Sequence, residues 1–372
     1  MSAGDVKFSI CIPNYNYGKY LGDTIQSVLD QTHQHFEIVV ADNASTDDSL
    51  DVVRSFKDER IRIIENQYNI GFAPNLDRAT EPARYPHMIL LSSDDRMKPT
   101  ALERYAEILS RADLDNDRTV IVSEAHVIDG DGNVSGRVRR QPGTFLFFVD
   151  TAEGADDARH SEDVETFPGR EVLPTVLRHL TALGPFLSVA YPRRLYDEVQ
   201  GYRNVHNVDP DAHFTHKLLL RDPTVVYVNE ALFEYRVHGA NQGATEKKHA
   251  SIKHPIDKYL YTLEYTDKLL AGTGLKQQDI VDSFVANWCL KQPVARAAEG
   301  RYGEAVRTWM FGLATYPEQM LKDPRSYAVA ALLGCGPAAG WVARQTLKLS
   351  RMVRGHRYGV PRKSEAPRRA DA

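Results

Sequence analysis

The sequence predicts an α/β fold, a mainly parallel central sheet flanked by helices, followed by an all-helical C-terminal region. Two patterns and a composition point there. Up to Ala125, short apolar runs closed by polar or Gly/Pro-rich residues alternate with segments whose apolar positions recur at helical spacing, the rhythm of successive βαβ units. From about Ile252 the spacing is helical throughout. With 372 residues, 42% hydrophobic and 26% charged, the chain has the make-up of a globular protein of one large domain or two ordinary ones.

Strands are expected at residues 6–12, 36–41, 61–65, 87–92 and 119–123, each an apolar run that stops at polar residues. Between them Leu21, Ile25, Val28 and Leu29 mark one helix, Leu50 with Val53 a second, and Leu102, Tyr105, Ala106 and Leu109 a third behind Pro99. Right-handed crossovers place such helices on both faces of the sheet, and ligands then bind beyond the carboxyl ends of the strands. That directs attention to residues 13–17, 42–48 and 92–96.

Asp129-Gly-Asp-Gly-Asn133 reads as a turn, and a long polar stretch follows over 137–163 with a strand pattern at 144–149 inside it. Next come a helix at 169–181, an apolar segment at 185–191, a helix near 211–220 and a strand at 225–237. The expected division is 1–243 for the catalytic domain, 250–355 for the helical region and 356–372 for a basic tail. Within the helical region, Ala295 to Ala305 followed by Leu313 and Pro317 resembles a single helix-turn-helix unit of tetratricopeptide type. One such unit is an appendage and not a solenoid.

The net charge of -4 gives no global field for a polyanion, so nucleic acid is not an expected partner. Cys11, Cys289 and Cys335 have neither disulfide nor zinc-ligand spacing, which fits a reducing compartment. No basic patch leads into an apolar core at Met1 to Asp5, so a signal peptide is not expected and the protein is read as cytoplasmic. From Arg344 to Arg369 nine Lys or Arg face a single acid, Glu365. The apolar run before them, 328–343, is too short for a bilayer span and is broken by Gly334, Gly336, Pro337 and Gly340. Two readings stand: a surface helix with a solvated tail, or peripheral contact with anionic lipid at the cytoplasmic face of the membrane. A homodimer through the C-terminal helices is a further expectation.

Asp94 and Asp95 end an apolar run just ahead of a helix start. Adjacent carboxylates at the rim of a low-dielectric strand repel, and a hard divalent cation, Mg²⁺ or Mn²⁺, relieves them; a helix N-cap plus a surface acid is the plainer reading of the same residues. Upstream, Ile12-Pro-Asn-Tyr-Asn16 leaves the first strand with a ring and amides instead of glycines, unlike a dinucleotide fingerprint or a P-loop. Asp42-Asn-Ala-Ser-Thr-Asp-Asp48 places a carboxylate to accept from a nucleobase N–H, with Ser45 or Asp47 capping the next helix. Asn69-Ile-Gly71 adds a polar turn.

These motifs, with Ser27-Val-Leu-Asp-Gln-Thr32 and Leu91-Ser-Ser-Asp-Asp95, resemble in order and spacing the inverting family 2 glycosyltransferases of the GT-A fold, over roughly Phe8 to Asn241. The resemblance implies that Pro13 and Tyr15 pack beside the base, that Asp42 accepts its N3–H, and that Asn16 and Asn69 join the nucleotide site. It places Asp94 near the ribose and Asp95 on the metal that bridges the phosphates. Ser92 stands where the family's leading acid is found, and Pro74 where an Arg is frequent. On the acceptor side, Val208-Asp-Pro-Asp-Ala212 falls where the family carries its catalytic acid, with Asp211 as the expected base and Asp209 as second choice; the plainer reading of Asp209 is a helix N-cap ahead of Pro210. Glu234-Tyr-Arg-Val-His238 looks like the closing motif, with His238 as a metal or diphosphate ligand and Arg236 pairing with phosphate or a neighbouring acid.

The implied activity is metal-dependent hexosyl transfer from a nucleoside diphosphate sugar, UDP or dTDP favoured, to a saccharide or lipid-linked saccharide acceptor in surface polysaccharide synthesis. A sugar-nucleotide-binding protein without turnover is the rival that Ser92 and Pro210 suggest. A sugar nucleotidyltransferase is a third, and it lacks the expected triphosphate loop after the first strand.

Overall fold

The computed structural model describes residues 2–141, 143–151, 164–202, 209–239 and 253–345. Its strands are β1 (Phe8–Asn14), β2 (Phe36–Asp42), β3 (Ile61–Glu65), β4 (His87–Leu90), β5 (Arg96–Met97), β6 (Thr119–Ile128), β7 (Val134–Arg140), β8 (Phe147–Asp150), β9 (Val164–Pro168), β10 (Ala190–Pro192) and β11 (Thr224–Arg236). The helices are α1 (Gly18–Leu29), α2 (Ser49–Ser55), α3 (Phe72–Thr80), α4 (Ala101–Leu109), α5 (Gly169–His179), α6 (Arg193–Glu198), α7 (Pro210–Leu219), α8 (Lys253–Glu264), α9 (Gln277–Phe284), α10 (Gln292–Ala298), α11 (Tyr302–Thr315), α12 (Pro317–Lys322) and α13 (Pro324–Gly334). The chain divides into two compact units, Met1–Ile280 and Val281–Ala372.

In the first unit one sheet runs β3-β2-β1-β4-β10-β6-β11-β5, with β7 on β6, β8 on β7 and β9 on β11. Strands β3, β2, β1 and β4 are mutually parallel, as the βαβ rhythm requires. β10 then lies antiparallel between β4 and β6, and β11 returns parallel to β6. All seven residues of β2 are buried, because helices cover both faces of this half of the sheet. One face packs Phe8, Ile10, Ile12, Ile38 and Val40 against Leu21, Ile25 and Val28 of α1 and against Leu102, Tyr105 and Leu109 of α4. Helix α3 covers the other face of β1 and β2.

The tight start of α1 explains Gly18. A Cβ there would stand 2.0 Å from Asp48 Oδ1 and 3.0 Å from the Ser49 nitrogen, while the Gly18 N–H donates to Asp47 Oδ2 at 2.9 Å. Asp47 also accepts from the Ser49 amide and hydroxyl, so this one carboxylate serves the first turns of α1 and α2. Neither expected cap stands at the N-cap of α2, which is Asp48; Asp47, one residue earlier, holds Ser49 at the helix start, and Ser45 turns toward Asn14 and Asn16.

Several boundaries differ from the sequence reading, and three of them bear on the site. β4 ends at Leu90, so Ser92, Asp94 and Asp95 lie on the turn between β4 and β5 and not on the strand itself. β6 continues to Ile128, because β11 runs beside it to Arg236 and β7 pairs with its distal half. Helix α8, grouped by sequence with the C-terminal helices, falls in the first unit: His213 Nε2 meets Glu264 Oε1 at 2.7 Å, and His216 Nδ1 meets the Tyr265 hydroxyl at 3.2 Å. Aromatic and polar residues of α8 face α7, a match that helical spacing alone does not disclose.

In the second unit α10 and α11 form the expected helix pair around a turn at Gly300, whose φ of 81° favours glycine. Ala297, Ala305, Val329 and Leu333 make a small core with Trp309 against it, and the Tyr302 hydroxyl donates to the Leu333 carbonyl at 2.7 Å. Residues 346–372, which carry most of the basic tail, lie outside the described residues.

Phe233 of β11 is fully buried against Tyr105, ring centroids 5.9 Å apart. Phe233→Ala is expected to cost about 3–5 kcal/mol by removing a buried ring, read as a lower urea midpoint of the full chain.

Candidate active site

The carboxyl ends of β1, β2 and β4 open onto a cavity of about 1060 Å³. Its floor is the turn Ser92 to Asp95. The segment from Thr24 to Gln31 holds that turn through its main chain: the Thr24 hydroxyl lies 3.0 Å from the Ser93 carbonyl and 2.8 Å from that of Asp95. Ser27 Oγ accepts from the Met97 amide, while Gln31 donates to the Lys98 carbonyl and accepts from the Leu102 amide. The motif around Ser27 and Gln31 is thus a scaffold for the acidic turn and stands away from the reacting groups.

Asp95 is 1% exposed and Asp94 7%. Asp95 Oδ1 accepts the main-chain N–H of Arg236 at 2.8 Å, and the Asp95 amide donates to the Ser92 carbonyl at 3.2 Å. Asp94 Oδ2 stands 3.1 Å from His238 Nε2. Burial raises the Asp95 carboxyl well above the usual carboxylate range, and the neighbouring Asp94 charge adds to it; burial raises Asp94 as well, opposed by His238. Arg236 lowers both carboxyls, though less than burial raises them. It does not line the cavity. It is 1% exposed, donates from Nε to the Asp94 carbonyl at 2.7 Å, reaches Asp23 at 3.7 Å and lies over the Tyr20 ring. Of the two roles offered by sequence, phosphate or a neighbouring acid, its geometry fits the second.

Among the described residues no group of three or more His, Cys, Asp or Glu side chains converges as a metal cage. Two hard carboxylates beside a histidine nevertheless suit a divalent cation that takes its remaining oxygens from a diphosphate. Asp95, with Asp94 and His238 beside it, would hold that cation.

The opposite wall is built from amides. Asn14 donates to Asp42 Oδ1 at 2.9 Å, and Asp42 Oδ2 accepts from the Ser45 amide. Asn43 donates to Asn69 and accepts from Asn66 and from the Ile70 amide; Asn75 reaches the Ala41 carbonyl. Pro13, Tyr15, Asn16, Asn69 and Asp94 line the cavity, as do Asp95 and His238. Asp42 lies behind the wall, 2% exposed, and is not among the lining residues. Asn16 and Ala44 adopt left-handed backbone, φ 58° and 60°, at the two strand ends that carry this wall.

Sequence reasoning missed Tyr17, Lys19, Tyr20, Asn43 and Tyr235, all cavity-lining. Tyr20 packs on the His238 ring at 4.6 Å between centroids and Tyr17 at 5.8 Å, fixing its orientation. Lys19 is the one Lys or Arg among the described lining residues. Strand alternation is the signal that finds Tyr235: with Arg236 turned inward, its neighbour faces the other side.

Asp211, half-buried in the first turn of α7, is the remaining acid. Its carboxyl is pushed up to about 6, first by burial and then by the Asp209 charge. The Tyr235 phenol, raised mainly by burial, also feels Asp95, Asp94 and Asp211, so the three carboxylates lie within electrostatic reach of one side chain on the cavity wall. Asp209 occupies the N-cap position of α7, yet its side chain makes no capping bond; it pairs with Lys258 at 2.8 Å.

Residues 9–156 match the model of glycosyl transferase family 2. Over that segment the chain is similar to that family. It is 37% identical over 103 residues to the putative teichuronic acid biosynthesis glycosyltransferase TuaG of Bacillus subtilis, which covers 27% of this chain and 41% of TuaG. Similarity to the glycosyltransferase GlyG of Streptococcus pneumoniae is 24% over 266 residues, 71% of this chain and 81% of GlyG. In fold, the S. aureus protein TarS in complex with UDP superposes with a TM-score of 0.57 at 15% identity over 92% of each chain. The α/β architecture with a helical C-terminal region is thus a shared one.

Asp95→Asn keeps an acceptor for the Arg236 amide and removes one of two repelling charges. In the presence of a chelator this variant should melt above the wild type, while Mn²⁺ should raise the melting temperature of the wild type more than that of the variant.

Proposed function

We propose that this glycosyltransferase moves a sugar from a nucleoside diphosphate sugar, with uridine or thymidine favoured, to a hydroxyl of a saccharide or lipid-linked saccharide, with inversion at the anomeric carbon. The observation that carries the reading is one cavity with the amide wall on one side and the Asp94–Asp95 turn as floor; Asp211 does not line it, but acts electrostatically on Tyr235, which does. TarS has been crystallised with UDP and with UDP-GlcNAc, and TuaG is named for teichuronic acid synthesis, which supports a uridine diphosphate donor and a polymer-forming role.

The amide wall and Tyr15 receive the base, and the diphosphate lies toward Lys19, His238 and the acidic turn. A divalent cation held at Asp95 with the diphosphate oxygens would supply positive charge to the departing group. Asp211 takes the proton of the acceptor hydroxyl as that oxygen forms its bond to the anomeric carbon; the bond to the diphosphate oxygen breaks and its electron pair leaves with the diphosphate. One displacement needs one base, and a carboxylate with its pKa raised toward neutrality is a stronger base than an ordinary aspartate. Asp209, tied to Lys258, is the poorer candidate. A binding protein without turnover would have no use for such an acid.

No helix among the described residues is long and apolar enough to cross a membrane. Peripheral contact at the cytoplasmic face through the basic tail belongs to the same proposal, as does pairing through the C-terminal helices. The second unit exposes Met310, Leu321, Tyr327 and Trp341.

Asp211→Asn should lower transfer by about 10²- to 10⁴-fold, the range for a lost general base, while UDP still stabilises the variant in a thermal-shift assay. Near-normal transfer by Asp211→Asn would remove the base assignment. In the wild type, activity should fall as pH drops through about 6, because Asp211 must be ionised to accept the proton.

A further inference from the structure

Helix α8 contributes two consecutive residues to one place. Asp257 Oδ2 accepts the main-chain N–H of Asp209 at 3.2 Å, and Lys258 Nζ donates to the carboxylate of Asp209 at 2.8 Å. Lys258 is 3% exposed, donates also to the Leu180 carbonyl at 2.9 Å, and sits over the Tyr261 ring at 5.1 Å. A lysine is seldom buried this deeply unless its charge is needed where it stands. Asp209 in turn gives up the capping bond that its position at the head of α7 would favour, and its main-chain carbonyl accepts from His213 at 3.2 Å to begin the helix. The first turn of α7, which carries Asp211, is therefore held by α8.

Granted Asp211 as the base, on which this inference rests, we infer that Lys258 is a positioning residue for it: by gripping Asp209, Lys258 fixes the turn that presents Asp211 and offsets the negative charge two residues away.

The charges around Asp211 bear this out. Asp209 on its own segment and Lys258 from α8 act on it directly; Tyr261 of α8 feels Asp211 together with Asp209 and Asp257, and Tyr235 of β11 feels it together with Asp95 and Asp94. Lys258 is the only one of these that is cationic. Without it, the Asp209 charge would act on Asp211 unopposed and a proton would be held more tightly, leaving less of the base ionised at neutral pH. Without Asp209 the shift should run the other way, and removal of both should restore the original balance. A helix serving only to pack would give none of this sign pattern.

The test is a carboxyl-¹³C aspartate NMR titration of the full chain as wild type, Lys258→Met, Asp209→Asn and the double variant. The Asp211 resonance is assigned by its loss in Asp211→Asn. Lys258→Met should raise the Asp211 midpoint by about one pH unit, Asp209→Asn should lower it, and the double variant should return close to the wild type. Release of UDP from UDP-GlcNAc should follow, with KM for the donor unchanged and kcat of Lys258→Met lower by about twofold at pH 7 and about eightfold at pH 5.5, the ratios of ionised base for that shift. A midpoint unmoved by Lys258→Met in a variant that still binds UDP would overturn the role of Lys258 while leaving the base reading intact. Should Lys258→Met not fold, Asp209→Asn decides alone, and an unmoved midpoint there overturns the coupling. Transfer retained by Asp211→Asn would overturn the base reading, and with it the catalytic role of Lys258, whatever the titration gives.

Discussion

Asp95 accepts the main-chain N–H of Arg236 at 2.8 Å, while the Arg236 guanidinium donates to the Asp94 carbonyl at 2.7 Å. This reciprocal clamp joins the end of β11 to the turn after β4, two segments far apart in sequence, and the rest of the cavity is arranged around it. His238 follows Arg236 closely and so arrives beside Asp94; Tyr235 precedes it and faces the cavity. The guanidinium is buried, so its bond to the Asp94 carbonyl meets a donor that would otherwise be costly to leave without a partner.

Two kinds of polar chemistry meet across the cavity. On one side Asn43, Asn66, Asn69 and Asn75 satisfy one another and the strand ends, so the wall is rigid and electrically neutral apart from Asp42 behind it. On the other side burial raises the carboxyls of Asp94 and Asp95. The ligand proposed above, with a hydrogen-bonding ring at one end and a diphosphate at the other, would meet both. The neutral wall reads shape and hydrogen bonds, whereas the acidic floor selects for the charge that the ligand brings.

The sheet was legible because βαβ periodicity and buried apolar runs are local signals; β2, β3, α1 and β11 fall close to where spacing puts them. Asp94 and Asp95 were singled out by their place after an apolar run and His238 by the resemblance, and the structure brings His238 beside Asp94. What spacing could not supply was direction. Arg236 was open between phosphate and acid until its burial turned it inward, and Asp209 was open between cap and base until Lys258 claimed it. Tyr17, Lys19 and Tyr20 sit at the head of an amphipathic helix, where aromatic and basic residues carry no mark of the ligand side. The place of α8 was unreadable for a related reason: its contacting face is polar and aromatic, and its counterpart on α7 is remote in sequence.

The grip of α8 on α7 also bears on how such a protein can be divided and recombined. Lys258 lies well past the residues that match the family model and past the last strand of the sheet. A graft cut at the end of β11 would transfer the amide wall, the acidic turn and Asp211, yet leave Asp209 with no counter-charge. The natural seam for exchange between relatives therefore falls after α8, so that the inherited module is longer than the recognisable one.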